Sequence, residues 1–306
     1  MESLYAAIFT LIWAAGSIFV KLGLEYIPPL DFLVLRATLA TTCFFLLWLV
    51  IRSLKIKEEK FIPTLSWKNL VFLMGTGLLL QVCYQASFFY AIEYQLSPGL
   101  LMIILGAQPI FTALIMNDKL SVLNWVGLTL GLLGLSLIVF HSVFITDLNL
   151  LGLGFGLIAL IAMTLGTIGQ KRFCSRIDFL TNLLLQYLIS SLVFLCIDRF
   201  HVLQAIPTNL AFVVALFWMG IVVSVFATCL YYYLVNNKQL TRVTTVFYCV
   251  PALTVILDYL VYGELISTIS LLGFLVTCLG LYFSFRKDKS LNQISTALVE
   301  NELAEN

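Results

Sequence analysis

Polar side chains able to hold a ligand recur at helical spacing inside long apolar stretches of this sequence. Gln81, Tyr84, Gln85 and Phe88 follow one another at three- and four-residue steps, and Gln108 stands beside Pro109 with Thr112 a turn further on. Thr244, Tyr248, Pro251, Val255 and Asp258 fall on one helical face, while Ser224, Thr228, Tyr231 and Tyr232 make another group with Trp13 as a further aromatic wall. An amide in hydrocarbon is costly unless it is paired or faces a wet cavity. Gln81 and Gln85 therefore read either as ligand-facing groups or as glue between helices. Beside Gln108, a backbone loosened by proline can offer carbonyl and amide partners to a polar ligand, or can form a kink that serves packing alone.

Two charged groups extend this set. Asp258 lies about a turn from the end of its apolar span, either as a hydrated or paired rim acid or as a group that binds an ammonium or accepts a proton. Arg36 lies about four residues inside its span. It can snorkel to the headgroups, or pair with Asp258, Glu93 or Glu264 as part of an outer gate. Catalytic chemistry finds no support. HExxH is absent, no pair of acids sits at mid-span, and both histidines, His141 and His201, lie at span ends. The seven cysteines show no metal-type spacing and read as small buried hydrophobes. No catalytic residue, metal or cofactor is expected, and no Walker motif points to ATP.

The elements that must position these residues are membrane helices. Hydrophobic residues make up 61% of the 306 positions and charged ones 11%, a membrane composition. The net charge of +1 gives no face for nucleic acid. A crossing helix needs about 20 apolar residues. Ten stretches qualify: roughly 3–22, 32–51, 69–91, 98–117, 121–140, 150–170, 179–197, 210–235, 243–262 and 266–285. The first lacks a basic leader and reads as a retained helix rather than a signal peptide. Loops and tail on the side of the N-terminus carry Arg52, Lys55, Lys57, Lys60, Lys68, Lys119, Lys171, Arg172, Arg176, Lys238, Arg242, Arg286, Lys287 and Lys289, against Lys21, Arg36 and Arg199 opposite. That bias places both termini in the cytoplasm.

The chain also repeats. Trp13 and Gly16 face Met163 and Gly166 at an offset of 150, Pro109 faces Pro251 at 142, and Asp118, Gly127 and Gly134 face Glu264, Gly273 and Gly280 at 146. Five spans per half force the second copy to cross in the opposite sense. The expected fold is therefore an all-α integral membrane protein of ten helices in a 5+5 inverted repeat, with a site near the midplane. The halves are 3–141 and 150–286, followed by a mobile cytoplasmic tail, 287–306. Gly127-x-x-x-Gly131 permits close packing within the chain or between chains, so a homodimer stays open.

In these features the sequence resembles the EamA family of the drug/metabolite transporter superfamily. The resemblance rests on Leu11–Ser17 with Lys21 and Arg36, Ala91–Tyr94 leading to Gln108-Pro109, the Gly263-Glu264-Leu265 turn, and the glycine pairs of the closing spans. It covers roughly 3–286 and implies a central site among helices 1, 3, 4, 6, 8 and 9. The expected function is secondary transport, as exporter or exchanger, of a small organic metabolite such as an amino acid or a drug, by alternating access in the cytoplasmic membrane. An intramembrane enzyme and a non-transporting scaffold are the alternatives. Sugar phosphates are disfavoured, because no buried Lys or Arg is visible near mid-depth. Small four-helix relatives carry an acid midway along their first helix for proton coupling. Here only Glu2 precedes Glu25, so that route is not expected. The first half is also four residues shorter than the second between its proline and its closing acid, so its fourth helix should end about one turn, roughly 6 Å, early or the next should start deeper.

Overall fold

The computed structural model describes residues 2–54, 67–96, 98–118, 120–138, 149–175, 177–199, 201–202, 206–238, 240–262 and 267–285. The expected tail, 287–306, and Glu264 lie outside them, as does the side chain of Asp258. Ten helices make up the bundle. The first half holds α1 (Glu2–Leu24), α2 (Pro29–Ser53), α3 (Trp67–Glu93), α4 (Pro98–Gly106 and Gln108–Met116) and α5 (Val122–Ile138). The second holds α6 (Leu150–Cys174), α7 (Phe179–Asp198), α8 (Leu210–Asn237), α9 (Leu240–Thr245, Val246–Tyr248 and Cys249–Tyr262) and α10 (Thr268–Phe285).

Local chemistry sets several of the ends. Pro29 opens α2 at a position where the missing N–H would have no helical partner. Asn149 Oδ1 accepts the Leu151 N–H at 2.9 Å at the start of α6, and Asp178 Oδ2 accepts that of Thr181 at 3.0 Å at the start of α7. Asn117 takes a left-handed conformation (φ 52°) and stops α4. The shorter first half shows here: α4 ends at Met116, whereas its counterpart runs on from Pro251 to Tyr262.

The backbone carries the repeat as clearly as the residues do. α3 and α8, third in their halves, each contain a wide π-helical stretch, Leu78–Cys83 and Trp218–Ala227. α4 and α9, fourth in their halves, each change geometry just before their proline. α4 breaks at Ala107, and α9 tightens into a 3₁₀ turn at Val246–Tyr248. Each proline then sits in the first turn of a fresh helical segment, where it costs no hydrogen bond.

The outside of the bundle is apolar and its inside is partly polar. Leu46, Trp67, Val122, Leu150 and Leu271 are exposed, whereas Gln108, Gln170, Asn182 and Gln186 are fully buried. That inverts the habit of a water-soluble protein and suits a bilayer. The cysteines follow the same rule and correct one expectation. Cys83, Cys196 and Cys278 are exposed on the outside, and Cys174 is the buried one. A small apolar thiol fits a lipid-facing position as readily as a core.

Glycines let α5 and α10 touch backbone to backbone. A Cβ on Gly127 would lie 2.7 Å from the Gly280 carbonyl oxygen, and one on Gly280 would lie 2.8 Å from that of Gly127. Gly134 and Gly273 repeat the arrangement, each 2.7 to 2.8 Å from the other's carbonyl. Asn124 Nδ2 donates to the carbonyls of Phe283 and Ser284 at 3.0 Å, and Ser270 Oγ donates to that of Ile138 at 2.8 Å. The glycine motif is thus used within the chain, joining the last helices of the two halves.

A polar cluster ties α3, α6, α7 and α8 together. The Tyr232 hydroxyl donates to Gln186 Oε1 at 2.7 Å and accepts from Gln81 Nε2 at 3.2 Å. Gln186 Nε2 donates to Gln170 Oε1 at 2.8 Å and Asn182 Oδ1 at 2.7 Å. Gln186→Leu removes the partner of Gln170, Asn182 and the Tyr232 O–H at once. It should cost about 2 kcal/mol, read as a fall in unfolding midpoint in detergent. An unchanged midpoint would show that the cluster contributes nothing net.

Candidate functional site

A cavity of about 70 Å³ lies between the two halves. Since one ordered water needs roughly 10–15 Å³ on this measure, it holds several waters or one small molecule. α1 contributes Trp13, Gly16 and Val20, and α3 contributes Tyr84, Gln85 and Phe88. α4 brings Gln108, α6 Met163, α8 Met219 and Val223, and α9 Phe247, Val250 and Pro251. These are the six helices that the family resemblance implies, with α2 added through Arg36.

Two poorly bonded polar atoms lie by this wall. Gln108 is fully buried; its Nε2 donates to Thr167 Oγ1 at 3.2 Å, but its Oε1 has no hydrogen-bond partner among the described residues. The buried Tyr231 hydroxyl lies against Gln108 and Thr167 without a well-formed hydrogen bond. Unpaired polar atoms in a dry interior cost free energy, and beside a cavity they mark where water or a ligand completes the bonding. Toward the N-terminal end of α1 the cavity is walled by aromatic rings from α1, α8 and α9. Phe9 stacks on Tyr231 at 5.3 Å between centroids, and Phe247 meets Phe9, Trp13 and Tyr231 edge-on at 5.4, 5.7 and 5.5 Å.

Of the residues that the sequence nominates for binding, Trp13, Tyr84, Gln85 and Gln108 line this cavity, and so does Pro251. Pro109 is buried behind Gln108 and shapes the start of the helical segment. The other four are placed elsewhere. Gln81 and Tyr232 belong to the amide cluster, and Gln81 lines only a smaller void beside Arg36 and Gln85. Thr228 bonds to the Tyr187 hydroxyl at 3.1 Å and the Val223 carbonyl at 3.2 Å. Tyr248 packs on Gly131 of α5 and donates to the Leu128 carbonyl at 3.2 Å.

One cause accounts for these four displacements. Their grouping assumes 3.6 residues per turn, but each lies in or just beyond a stretch that is not α-helical. One extra or missing residue in a turn swings the following side chains by about 100°. The π stretch of α3 sends Gln81 toward α7 and α8 while Tyr84 and Gln85 reach the cavity. That of α8 brings Met219 and Val223 inward and turns Thr228 and Tyr232 away, and the 3₁₀ turn of α9 presents Phe247 in place of Tyr248. Since Tyr248 serves packing, Tyr248→Phe should lower stability by about 1 kcal/mol and leave ligand binding unchanged, measured by thermal unfolding beside a titration. Weakened binding would return Tyr248 to the site.

The repeat was the signal for residues the sequence reading missed. Met163 stands opposite Trp13 at the offset of 150, and Val250 opposite Gln108 at 142; all four line the cavity.

Arg36 requires the largest correction. It is 5% exposed, so it does not snorkel, and no acid pairs with it among the described residues. Its Nε donates to Ser224 Oγ at 2.8 Å and its Nη1 to Gln85 Oε1 at 2.8 Å. The Ser224 hydroxyl donates in turn to the Met219 carbonyl at 2.7 Å, which leaves its lone pairs toward the guanidinium. The structure thus puts a buried cation beside the cavity, where the sequence reading expected none. Arg36 sits ~10 Å along α2, on the face that packs against α3, α7 and α8.

Outside the cavity, ligand atoms of Asp31, Asp198 and His201 come within 4.8 Å of one another. There Asp198 Oδ2 accepts the Val202 N–H at 3.0 Å and its carbonyl accepts that of His201, so the acid organises the turn after α7.

Two five-helix halves, an apolar exterior and a partly polar cavity between them define a multi-pass membrane transporter. The chain belongs to the EamA-like transporter family, whose sequence profile matches residues 1–140 and 150–286. It is therefore a drug/metabolite-superfamily transporter and not an enzyme. The "Uncharacterized transporter YoaV" of Bacillus subtilis is 26% identical, over 92% of this chain and 96% of that one. A Salmonella typhimurium protein named "Probable amino-acid metabolite efflux pump" is 23% identical over 93% and 96%. The "Uncharacterized inner membrane transporter YedA" of Escherichia coli is 25% identical over 88% and 86%. A crystal structure with 14% sequence identity superposes with a TM-score of 0.73 over 93% of this chain and 96% of that one, a likeness of fold.

Proposed function

We propose that the protein is a secondary exporter or exchanger of a small organic metabolite, an amino acid or a drug among the candidates, working by alternating access. The observation that carries this reading is the cavity between the halves, lined by the repeat-related pairs Trp13 with Met163 and Gln108 with Val250. A site on a pseudo-symmetry axis is reached from either side when one half rocks against the other. The Phe9, Trp13, Tyr231 and Phe247 rings would close one side, and they would part for the opposite state. Excess Lys and Arg in the loops beside the N-terminus supports cytoplasmic termini in a cytoplasmic membrane. The names of the Salmonella and Escherichia relatives favour efflux and an inner membrane.

Counterflow in proteoliposomes tests it. Vesicles loaded with one unlabelled compound should take up the same labelled compound faster than protein-free vesicles, for at least one of a panel of amino acids, organic acids, nucleosides, polyamines and cationic dyes. Uptake equal to the protein-free control across that panel would overturn the reading.

A further inference from the structure

Arg36 is the only charged residue on the cavity wall among the described residues. Its guanidinium keeps its proton and carries five N–H donors, of which Ser224 and Gln85 take two. Both acceptors are neutral. They hold the fork in place without cancelling its charge, and they leave N–H groups of Nη1 and Nη2, the edge that receives a carboxylate bidentately. Among the described residues no acid pairs with the guanidinium, and within a membrane a buried cation marks the path of something that neutralises it. The surrounding wall is apolar: Val20, Phe88, Met163, Met219 and Val223.

We propose that the transported molecule carries a single carboxylate on an apolar body, with Arg36 as the carboxylate receptor. This rests on the transport reading above and names the substrate class for it. One guanidinium balances one carboxylate, whereas a phosphate dianion needs further cations that the described wall lacks. An organic cation would be repelled by Arg36 and would meet no acid among the described lining residues. The carboxylate is thus the required group, and an amine on the neighbouring carbon is dispensable.

A matched series built on one carbon skeleton tests this in nanodiscs by calorimetric titration: 4-methylpentanoate, leucine, 4-methylpentanamide, 3-methylbutylamine and 3-methylbutyl phosphate. The two carboxylates should bind, and the amide, amine and phosphate should be weaker by about 30-fold or more. Arg36→Gln should lose the carboxylates to the same extent, and Arg36→Lys, which keeps the charge but not the fork, should recover part of the affinity. The wild-type ranking decides even if Arg36→Gln fails to accumulate. Amide or amine binding within about threefold of the acid, tighter phosphate binding, or no binding by either carboxylate overturns the proposal. Flux of the same compounds separates the two readings. Carboxylates that bind through Arg36 yet are not carried sink the transport reading alone, and amide or amine flux equal to that of the acid sinks the carboxylate reading alone.

Discussion

Gly280→Leu should prevent the protein from accumulating in a folded state, and Gly127→Leu should do the same. Each glycine faces the other's backbone across the α5–α10 crossing, with its absent Cβ site under 3 Å from a carbonyl oxygen. Such a clash is with backbone, so no side-chain rotation relieves it; the helices must separate. Separation strains the hydrogen bonds from Asn124 to Phe283 and Ser284 and from Ser270 to Ile138. The cost should be roughly 3 kcal/mol or more per site, at the upper end for overpacking. Detergent-solubilised yield and unfolding midpoint check it. A control in the same measurement is Gly154→Leu, on α6, where a Cβ meets nothing within 4 Å, and it should behave like wild type. Equal behaviour of Gly280→Leu and Gly154→Leu would mean that the α5–α10 contact is not close in the protein.

The ten helices and their pairing into halves were legible because the bilayer imposes a length and a polarity on each span. Prolines and glycines then mark where the backbone bends or touches. The cavity was legible where an α-helical segment is unbroken or starts afresh: Trp13 lies on an unbroken α-helix, Gln108 begins a new one, and Tyr84 and Gln85 open the segment after the π stretch of α3. Gln81, Thr228, Tyr232 and Tyr248 were misplaced because a π or 3₁₀ turn changes the phase of a helix and leaves no mark in apolar composition. Arg36 was misplaced for another reason. Its position along the span was legible, but the side of α2 that faces the bundle is set by packing against α3, α7 and α8, where Ser224 and Gln85 receive the guanidinium.

Trp13 is where cavity and closure meet, and its truncation should have the largest effect on transport apart from that of Arg36. The indole lines the cavity and also touches Phe9 at 5.2 Å and Phe247 at 5.7 Å between ring centroids. Trp13→Ala removes a wall of the site and a piece of the aromatic seal together, so counterflow should fall by about 10-fold or more. Stability should fall by less than the ~3 kcal/mol typical of a fully enclosed Trp, because one face of the ring already borders empty space. Tyr231→Phe separates bonding from sealing. Its ring stays stacked on Phe9, and it loses only a hydroxyl that lies against Gln108 and Thr167 without a well-formed bond. The resting protein should therefore change by less than about 1 kcal/mol, since a poorly bonded buried group disappears. Transport should nevertheless slow if that hydroxyl bonds the ligand or its water. A variant as stable as wild type but less active would place Tyr231 in the binding site, whereas equal activity would confine it to the seal.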